Sequence, residues 1–410
     1  MAALRDAEIV IVGGGAIGTG VAYALARAGH TDVLLIEKEP GLSQVTSAQA
    51  AGLVGQARSD VDRTRLAMWS VKTFSELQSD AAPTPSWRQT GSLRVATTPE
   101  RVAEFRRFLR VAAEAGLDLE EIAPAEAERM WPGMRLGTAT SILWCPQDGY
   151  LQPADLVTSY HHHARALGVG FATDTTVEDI LVRNGRVAGV RTDRGEVRCE
   201  HVVNAAGAHA YHVARLVGIE LPIIPVRHEF FTTVEVDSIR PEFPVMRAVD
   251  QTLYLRADVH SLLVGGWEPR GLSIDPRTYR LDERPPVIEP DWPVLANFAD
   301  QLEPLYPRVV ETGIRATFRG WPTFAPDGRF IVGESGRVKG FVMAGACNAH
   351  GVSGSAGIGR HVVEAMFDPD PSPYVRSLSP DRFTETSWDW ASAEVRARRV
   401  YETYYSLTGH

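Results

Sequence analysis

The sequence predicts a mixed α/β fold in which a domain built on a parallel sheet is interleaved with a domain built on an antiparallel sheet. Its 410 residues are too many for one simple core and indicate two domains. Residues 8–37 contain an apolar strand, a glycine-rich turn, an alanine-rich helix and a second apolar strand, the order of a βαβ unit. Residues 221–270 contain short extended segments separated by Pro, Asp and Gly, as antiparallel sheets do.

Composition excludes several classes of protein. The chain is 44% hydrophobic and 23% charged, which is typical of a globular protein. A net charge of -9 argues against a nucleic-acid partner or an anionic membrane surface. Apolar runs stay below the length of about 18 residues that a membrane span needs. The first strand begins so near Met1 that we expect no signal peptide and a cytoplasmic location. The three cysteines have neither metal-ligand spacing nor a disulfide pattern.

The βαβ unit at the start has the glycine pattern of a dinucleotide site. Gly13 allows a tight turn, Gly15 lets the backbone approach a pyrophosphate, and Gly18 lets the helix pack closely on the strand. The helix N-terminus presents free N–H groups to the phosphates. Glu37 ends the second strand, where its carboxylate can accept hydrogen bonds from a ribose diol. Together these features predict a Rossmann-like nucleotide-binding domain.

The order of elements after Glu37 favours FAD over NAD. A nicotinamide enzyme would add further parallel βα units. This chain continues instead into a small-residue segment at 44–55, a meander and a second sheet. A glycine-rich stretch at 351–359 then opens a last helix. If this helix N-terminus points at the flavin, its dipole would stabilise the charge of the reduced ring.

Periodicity predicts the remaining elements. Helical spacing of apolar residues predicts helices at 60–79, 99–115, 124–131, 154–167, 292–305, 351–366 and 387–407. Alternation and turn signals predict strands at 87–97, 141–144, 175–183, 187–192, 196–201, 201–207, 223–236, 245–249, 252–256, 261–265, 311–321, 330–333 and 341–345. Within the helix at 154–167, consecutive His161, His162 and His163 point in three directions, so we expect a solvated face there and no metal site.

Eight stretches of sequence resemble the FAD-dependent amine oxidoreductases of the D-amino-acid-oxidase-like superfamily, and most closely the flavin domain of dimethylglycine and sarcosine dehydrogenases and dimethylglycine oxidase. The resemblance covers residues 7–407. The stretches are VTSAQAAGLVGQARS, GSLRVATTPER, LWCPQDGYLQPADL, VVNAAG, PVRHEFFTT, TLYLR, LLVGGWE and TFAPDGRFIVGE.

The resemblance implies a glutathione-reductase-type FAD-binding domain at 1–85, 140–220 and 315–385. It also implies an antiparallel-sheet substrate domain at 86–139 and 221–314, with a C-terminal helical tail at 386–410. The implied reaction oxidises a secondary or tertiary (N-methyl) amine to an imine by hydride transfer to flavin N5, followed by hydrolysis. The residues expected to contact FAD are Gly13, Gly15, Ala16, Ile17, Gly18, Glu37, Lys38, Ser47, Gln49, Ala51, Gly52, Leu53, Val177, Ala206, Gly207, Gly351, Val352 and Ser353.

The sequence departs from these relatives in two ways. The histidine that tethers the flavin in the dehydrogenases is matched by Gln49, and the tethering cysteine of monomeric sarcosine oxidases falls near Gly320. We therefore expect FAD to be bound non-covalently. The sequence also ends where the folate-binding domain of the dehydrogenases would begin, and we expect this domain to be absent. We expect either a separate folate-binding partner protein or release of formaldehyde.

Candidate site residues follow from the chemistry and the resemblance. Amine oxidation benefits from a base near the amine, and His228 matches the active-site histidine of dimethylglycine oxidase. Tyr254 matches the active-site tyrosine of that family. Either residue has a plain alternative, His228 as a hydrogen-bonded residue at a domain junction and Tyr254 as core. Expected contacts to a substrate carboxylate or the flavin come from Arg58, Arg256, Arg319 and His350, among which the sequence does not choose.

Other functions stay open at this point. D-amino-acid deamination and 2-hydroxy-acid oxidation use the same scaffold. A flavin-binding subunit that docks a partner through the helix at 387–407 is a further alternative. Oxygen, an electron-transfer flavoprotein and a quinone are all compatible electron acceptors, and the oligomeric state is not indicated.

Overall fold

A computed structural model describes residues 4–80 and 83–405. Its strands are, in chain order, β1 Ile9–Val12, β2 Val33–Ile36, β3 Leu53–Val54, β4 Ser92–Ala96, β5 Glu120–Glu121, β6 Ser141–Cys145, β7 Gly149–Tyr150, β8 Gly170–Ala172, β9 Val177–Arg183, β10 Arg186–Thr192, β11 Gly195–Arg198, β12 His201–Asn204, β13 Ile224–Pro225, β14 His228–Thr233, β15 Val245–Ala248, β16 Leu253–Asp258, β17 Ser261–Gly266, β18 Ile314–Gly320, β19 Thr323–Phe324, β20 Ile331–Glu334 and β21 Phe341–Gly345.

The α-helices alternate with these strands in the first third of the chain and cluster again at its end. They are α1 Ala16–Arg27, α2 Val61–Ser79, α3 Pro99–Ala115, α4 Pro124–Met130, α5 Pro153–Ala166, α6 Ala210–Arg215, α7 Trp292–Leu302, α8 Ser355–Phe367, α9 Pro373–Ser377, α10 Asp381–Thr384 and α11 Trp390–Glu402. Among the described helices, none combines the length and the apolar character that crossing a bilayer requires.

The first sheet has the order β20-β21-β12-β1-β2-β8 and is parallel except for β20. Its strands are buried on both faces, which explains why they read as unbroken apolar runs. Ile9 and Ile11 pack into the core that includes α1, α5 and α8. Val10 and Val12 pack into the opposite core, beneath the β9-β10-β11 meander and α6. The predicted α/β class is confirmed.

The second sheet has the order β18-β14-β17-β16-β15-β4-β6-β5 and is antiparallel except for the β15–β4 pair. One face is covered by α7, whose Leu295 and Phe298 belong to the core beneath it. The opposite face turns toward the first sheet and borders the cavity described below. Strands β6 and β18 lie in this sheet, although the predicted boundaries at residues 140 and 315 placed them with the FAD-binding segments.

Three predicted elements differ from the structure in their limits. The extended segment at 223–236 is two strands, because the chain leaves the β13–β19 pair and enters the large sheet at His228. The last helix begins at Ser355, since residues 351–354 form turns and glycine favours turns over helix. The tail helix begins at Trp390, where Asp389 caps it by accepting a hydrogen bond from the Ser392 backbone. Residues 406 and 407 of the predicted helix lie outside the described residues.

Candidate active site

A cavity of about 700 Å³ lies between the two sheets. The glycine-rich turn after β1 and the end of β2 line one end of it. The turn at 350–353, the inner face of the large sheet and the C-terminal residues 403–405 line the other. Most predicted site residues border this cavity: Gly13, Gly15, Ala16, Ile17, Glu37, Lys38, Ser47, Gln49, Ala51, Gly52, Leu53, Arg58, Val177, Ala206, Gly207, His228, Tyr254, His350, Gly351, Val352 and Ser353. Gly18, Arg256 and Arg319 do not border it.

The glycine-rich turn shows why two of its glycines are required. Gly13 has φ +114°, and a Cβ there would lie 2.5 Å from the Ala205 carbonyl oxygen. Gly18 is packed into the turn itself, where a Cβ would lie 1.9 Å from the Gly13 oxygen. Gly18 therefore shapes the turn by letting α1 pack against β1 and makes no direct contact with the cavity.

Glu37 and Ser47 accept hydrogen bonds from backbone N–H groups at the start of α1 and in the turn before it. One Glu37 carboxylate oxygen accepts a 2.6 Å hydrogen bond from the Gly14 N–H, and the other accepts one from the Glu39 N–H at 2.8 Å. Burial raises the pKa of Glu37. The Ser47 hydroxyl accepts a 3.0 Å hydrogen bond from the Ala16 N–H. The carboxylate is thus fixed at the tip of β2, with its remaining acceptor capacity available to hydroxyl donors in the cavity.

Lys38, just after β2, connects this end of the cavity to the loop at residues 281–283. Its ammonium group donates to the Leu281 carbonyl at 3.0 Å and to the Glu283 carbonyl, and lies 3.1 Å from His209 Nε2. Burial, and secondly the Lys38 charge, lower the pKa of His209 to about 3. His209 is therefore neutral at physiological pH.

The opposite end is built by the turn after β21. His350 is buried, its Nδ1 lies 2.8 Å from the Asn348 carbonyl, and its Nε2 lies 2.8 Å from the Tyr404 hydroxyl. Burial, together with the Arg58 charge, holds the pKa of His350 well below its usual range. Since both ring nitrogens have protein partners, His350 orients Tyr404 at the cavity wall.

His228 and Tyr254 form the hydrogen-bonded pair of the site. Strands β14 and β16 flank β17, so the two side chains meet on the cavity face of the sheet. The Tyr254 hydroxyl lies 2.6 Å from His228 Nε2. Burial lowers the pKa of His228 to about 4 and raises that of Tyr254 well above 10.0. Both groups are neutral near pH 7, and in the tautomer that carries its proton on Nδ1, His228 accepts the hydrogen bond from the Tyr254 hydroxyl.

Polar groups on the Nδ1 side of His228 hold its ring in place. The Tyr401 hydroxyl lies 3.5 Å from His228 Nδ1 and donates to a Glu268 oxygen at 3.3 Å. Glu268 is buried and paired with the Arg227 guanidinium at 2.7 Å. The indole ring of Trp267 stacks on the imidazole of His228 at 4.7 Å. These contacts fix the ring so that Nε2 faces Tyr254.

Two predicted substrate arginines are engaged elsewhere. Arg256 donates to the Ala51 carbonyl at 2.7 Å and pairs with Asp258 at 3.1 Å. Arg319 donates to Thr317 Oγ1 at 2.9 Å and to the Ile288 carbonyl. Their donors are satisfied within the protein and neither side chain reaches the cavity. The structure therefore leaves Arg58 as the one predicted arginine that borders it.

Several cavity residues were not predicted from the sequence, and four of them stand out. Arg94 on β4 and Arg247 on β15 line the substrate-side wall, and Tyr404 and Tyr405 enter from the C-terminal segment. The Tyr404 ring stacks on that of Trp267 with centroids 3.7 Å apart. A tyrosine pair at the end of an amphipathic helix was the only signal for this segment. For the arginines there was no local signal, since strand pairing brings them together.

The histidine run on α5 does not converge on a ligand. His161 packs edge-on against Phe171, and His163 Nδ1 lies 2.8 Å from the Ser159 carbonyl of the preceding turn. Cys347 borders the cavity, but burial raises the pKa of its thiol to about 12. It therefore remains a protonated, unreactive side chain near neutral pH.

Residues 8–365 match the model of the FAD dependent oxidoreductase family. The chain belongs to this family. It is 31% identical to 4-methylaminobutanoate oxidase (formaldehyde-forming) of Paenarthrobacter nicotinovorans over 92% of this chain and 45% of that protein. It is 28% identical to the mitochondrial sarcosine dehydrogenase of Mus musculus over 98% of this chain and 44% of that protein. The chain thus spans slightly less than half the length of these relatives.

Solved structures of other proteins share this fold. L-proline dehydrogenase from P. horikoshii superimposes with a TM-score of 0.82 at 24% identity, over 93% of this chain and 98% of that one. At this identity the likeness concerns the fold. The predicted membership in the D-amino-acid-oxidase-like superfamily, the mixed α/β fold and the use of FAD are confirmed.

The cavity fits an extended FAD. Three buried polar atoms that line it have no hydrogen-bond partner among residues 4–80 and 83–405: Ser43 Oγ, Asn348 Nδ2 and Trp267 Nε1. Unpaired buried polar groups are costly, so a polar ligand would stabilise them. Gly13 to Ile17 would hold the pyrophosphate, Glu37 the ribose, and the turn at 350–353 the flavin ring.

Proposed function

We propose that the protein oxidises a secondary or tertiary N-methyl amino acid to an imine, which water hydrolyses to formaldehyde and the demethylated amine. The observation that carries this proposal is the Tyr254–His228 hydrogen bond of 2.6 Å on the cavity wall. The names of the relatives support it, because sarcosine and 4-methylaminobutanoate are both N-methylated amino acids.

When bound, FAD supplies the acceptor for the two electrons that leave the amine. The side chains orient and prepare the substrate. The Tyr254 hydroxyl donates a hydrogen bond to His228, which leaves the hydroxyl lone pairs to accept the N–H of a secondary substrate amine. His228, with a pKa of about 4, is a weak base that holds Tyr254 in this orientation.

The cavity favours the neutral amine that oxidation requires. Arg58 borders it and places positive charge near the substrate. Nearby positive charge disfavours a protonated amine, so it lowers the pKa of a bound substrate amine. The ammonium proton is therefore lost to solvent water before the carbon–hydrogen bond breaks, without a strongly basic side chain.

Anaerobic reduction of the flavin with a panel of amines tests the proposal. We expect N-methyl amino acids to bleach the flavin absorbance and to yield formaldehyde in equal molar amount. Bleaching by D-amino acids with release of ammonia, or by 2-hydroxy acids, would replace the proposal with one of those oxidations. An absence of bleaching across the panel would favour a flavin-binding subunit that acts with a partner. Admission of air after reduction shows whether oxygen is the electron acceptor.

A further inference from the structure

Two arginines lie side by side on the cavity face of the large sheet. Strands β4 and β15 are parallel neighbours, and Arg94 and Arg247 are partners in their register. Register partners on adjacent strands point to the same face and are about 5 Å apart at the backbone. Both side chains are half-buried and border the cavity. Gly55 makes room for this pair, because a Cβ there would lie 2.8 Å from an Arg247 Nη atom.

The arginine pair lacks carboxylate partners among the described residues. Glu104, whose charge acts on Arg94, pairs with Arg101 at 2.8 Å, and Asp250 pairs with Arg101 at 3.0 Å. The Arg94 guanidinium lies over the Phe108 ring at 4.6 Å and makes no ion pair within residues 4–80 and 83–405. Burial and the neighbouring Arg247 charge lower the pKa of Arg94. Adjacent like charges in a half-buried site destabilise the fold, so stability does not account for the pair.

The position of the pair relative to Tyr254 defines what it can bind. Arg247 is also the register partner of Tyr254 on β16. Arg94, Arg247 and Tyr254 therefore form one row across three successive strands on the cavity face. The row places the arginines about 5–10 Å from the backbone of the tyrosine that faces the amine. A carboxylate several bonds from the amine along an aliphatic chain can span this distance.

We propose that Arg94 and Arg247 form a carboxylate subsite, and that the substrate is an N-methylated amino acid whose carboxylate lies several bonds from the reacting amine. The inference rests on the proposed function and specifies its substrate class. Two guanidinium groups can each donate to a carboxylate oxygen, and a charge-assisted clamp of this kind is strong and directional. A bound carboxylate also removes the repulsion between the two cations.

Anaerobic flavin reduction by matched amines tests the subsite. The probes are 4-methylaminobutanoate, N-methylbutylamine, which lacks its carboxylate, and sarcosine, whose carboxylate is adjacent to the amine carbon. We expect kcat/KM for 4-methylaminobutanoate to exceed that for either other amine by about 100-fold. Arg94→Gln and Arg247→Gln should each lower it by about 100-fold, as losing one member of a buried charge contact does. Both variants should change kcat/KM for N-methylbutylamine by less than about threefold.

Two controls separate binding from folding. Arg110→Gln removes a solvent-exposed arginine of α3 and should leave all three values unchanged. Arg247→Lys keeps the charge and should recover part of the loss. An equal loss for all three amines in the Gln variants would show a structural role and overturn the proposal. A preference for sarcosine that survives both variants would do the same.

Calorimetric titration with butyrate, an unreactive carboxylate, provides a readout independent of turnover. We expect butyrate to bind the flavin-loaded protein and to lose about 100-fold in affinity in Arg94→Gln. If no amine reduces the flavin, the proposed function fails, yet butyrate binding that depends on Arg94 and Arg247 still supports the subsite. If amines reduce the flavin and butyrate binds both variants equally, the subsite is wrong and the proposed function stands.

Discussion

Replacing Tyr254 by phenylalanine removes one oxygen atom from the centre of the site and leaves its packing in place. The ring is buried, with 5% of its surface exposed, and packs in the small cluster with Phe230 and Leu263. The hydroxyl makes the 2.6 Å hydrogen bond to His228 Nε2. The change therefore tests whether this hydroxyl receives the substrate amine, without opening a cavity in the core.

The expected magnitudes differ for rate and for stability. A positioned proton-transfer or hydrogen-bonding group contributes about 10²–10⁴-fold to a rate, so we expect the flavin-reduction rate constant to fall by at least about 100-fold. Loss of the hydroxyl leaves His228 Nε2 buried and unpaired, which costs about 1–3 kcal/mol of unfolding free energy. FAD content should remain that of the parent protein, because Tyr254 lies at the substrate end of the cavity.

Stopped-flow reduction under anaerobic conditions measures the rate, and Tyr150→Phe is the matched control. Tyr150 is also a buried tyrosine, and its hydroxyl donates to the Pro241 carbonyl at 2.8 Å outside the cavity. This control should lose similar stability and less than about threefold in rate. A fall below threefold in Tyr254→Phe as well would refute the assigned role. In the parent protein kcat/KM should rise with pH without an inflection near 6.5, since the pKa of His228 is about 4.

Three further predictions concern the cofactor and stability. Acid precipitation should leave FAD in a yellow supernatant, because Gln49 offers no ring nitrogen for a covalent bond; a yellow pellet would contradict this. Gly18→Ala should abolish FAD retention in gel filtration, since its Cβ would lie 1.9 Å from the Gly13 oxygen. A normal flavin content would contradict this, because it would show that the turn can adjust to the added methyl group. Urea midpoints should fall as pH drops from about 6.5 toward 4, because unfolding lets neutral His228 and His209 bind protons, with about 3 kcal/mol from His228 alone. His209→Gln should flatten this dependence, and an unchanged slope would contradict the assigned protonation state.

The nucleotide half of the site could be predicted from sequence because its determinants are local. Gly13, Gly18 and Glu37 act through one turn, one helix start and one strand end, all within 25 residues of each other. The geometry of that half follows from backbone sterics, which short sequence patterns record directly. The limits of α8 were less predictable, since a run of glycines is compatible with either turns or a helix start.

The substrate half depends on contacts between distant segments, which a local pattern does not record. Arg256 lies two residues from Tyr254 and so shares its face of β16. The sequence alone could not show that the Ala51 carbonyl and Asp258 engage this arginine. Arg94 and Arg247 are the opposite case, because they border the cavity but were not predicted. They lie in separate sequence contexts, and only the parallel pairing of β4 with β15 makes them neighbours.

The C-terminal segment shows how an interpretation based on relatives can conceal a role in the site. The sequence analysis offered, as one alternative, that the helix at 387–407 docks a partner. In the structure, Tyr401 is fully buried and hydrogen-bonded to Glu268 behind His228. Tyr404 contacts His350 through its hydroxyl and Trp267 through its ring. These two tyrosines connect the turn at 350–353 to the wall that carries His228, so the segment helps to build the candidate active site whether or not a partner also binds it.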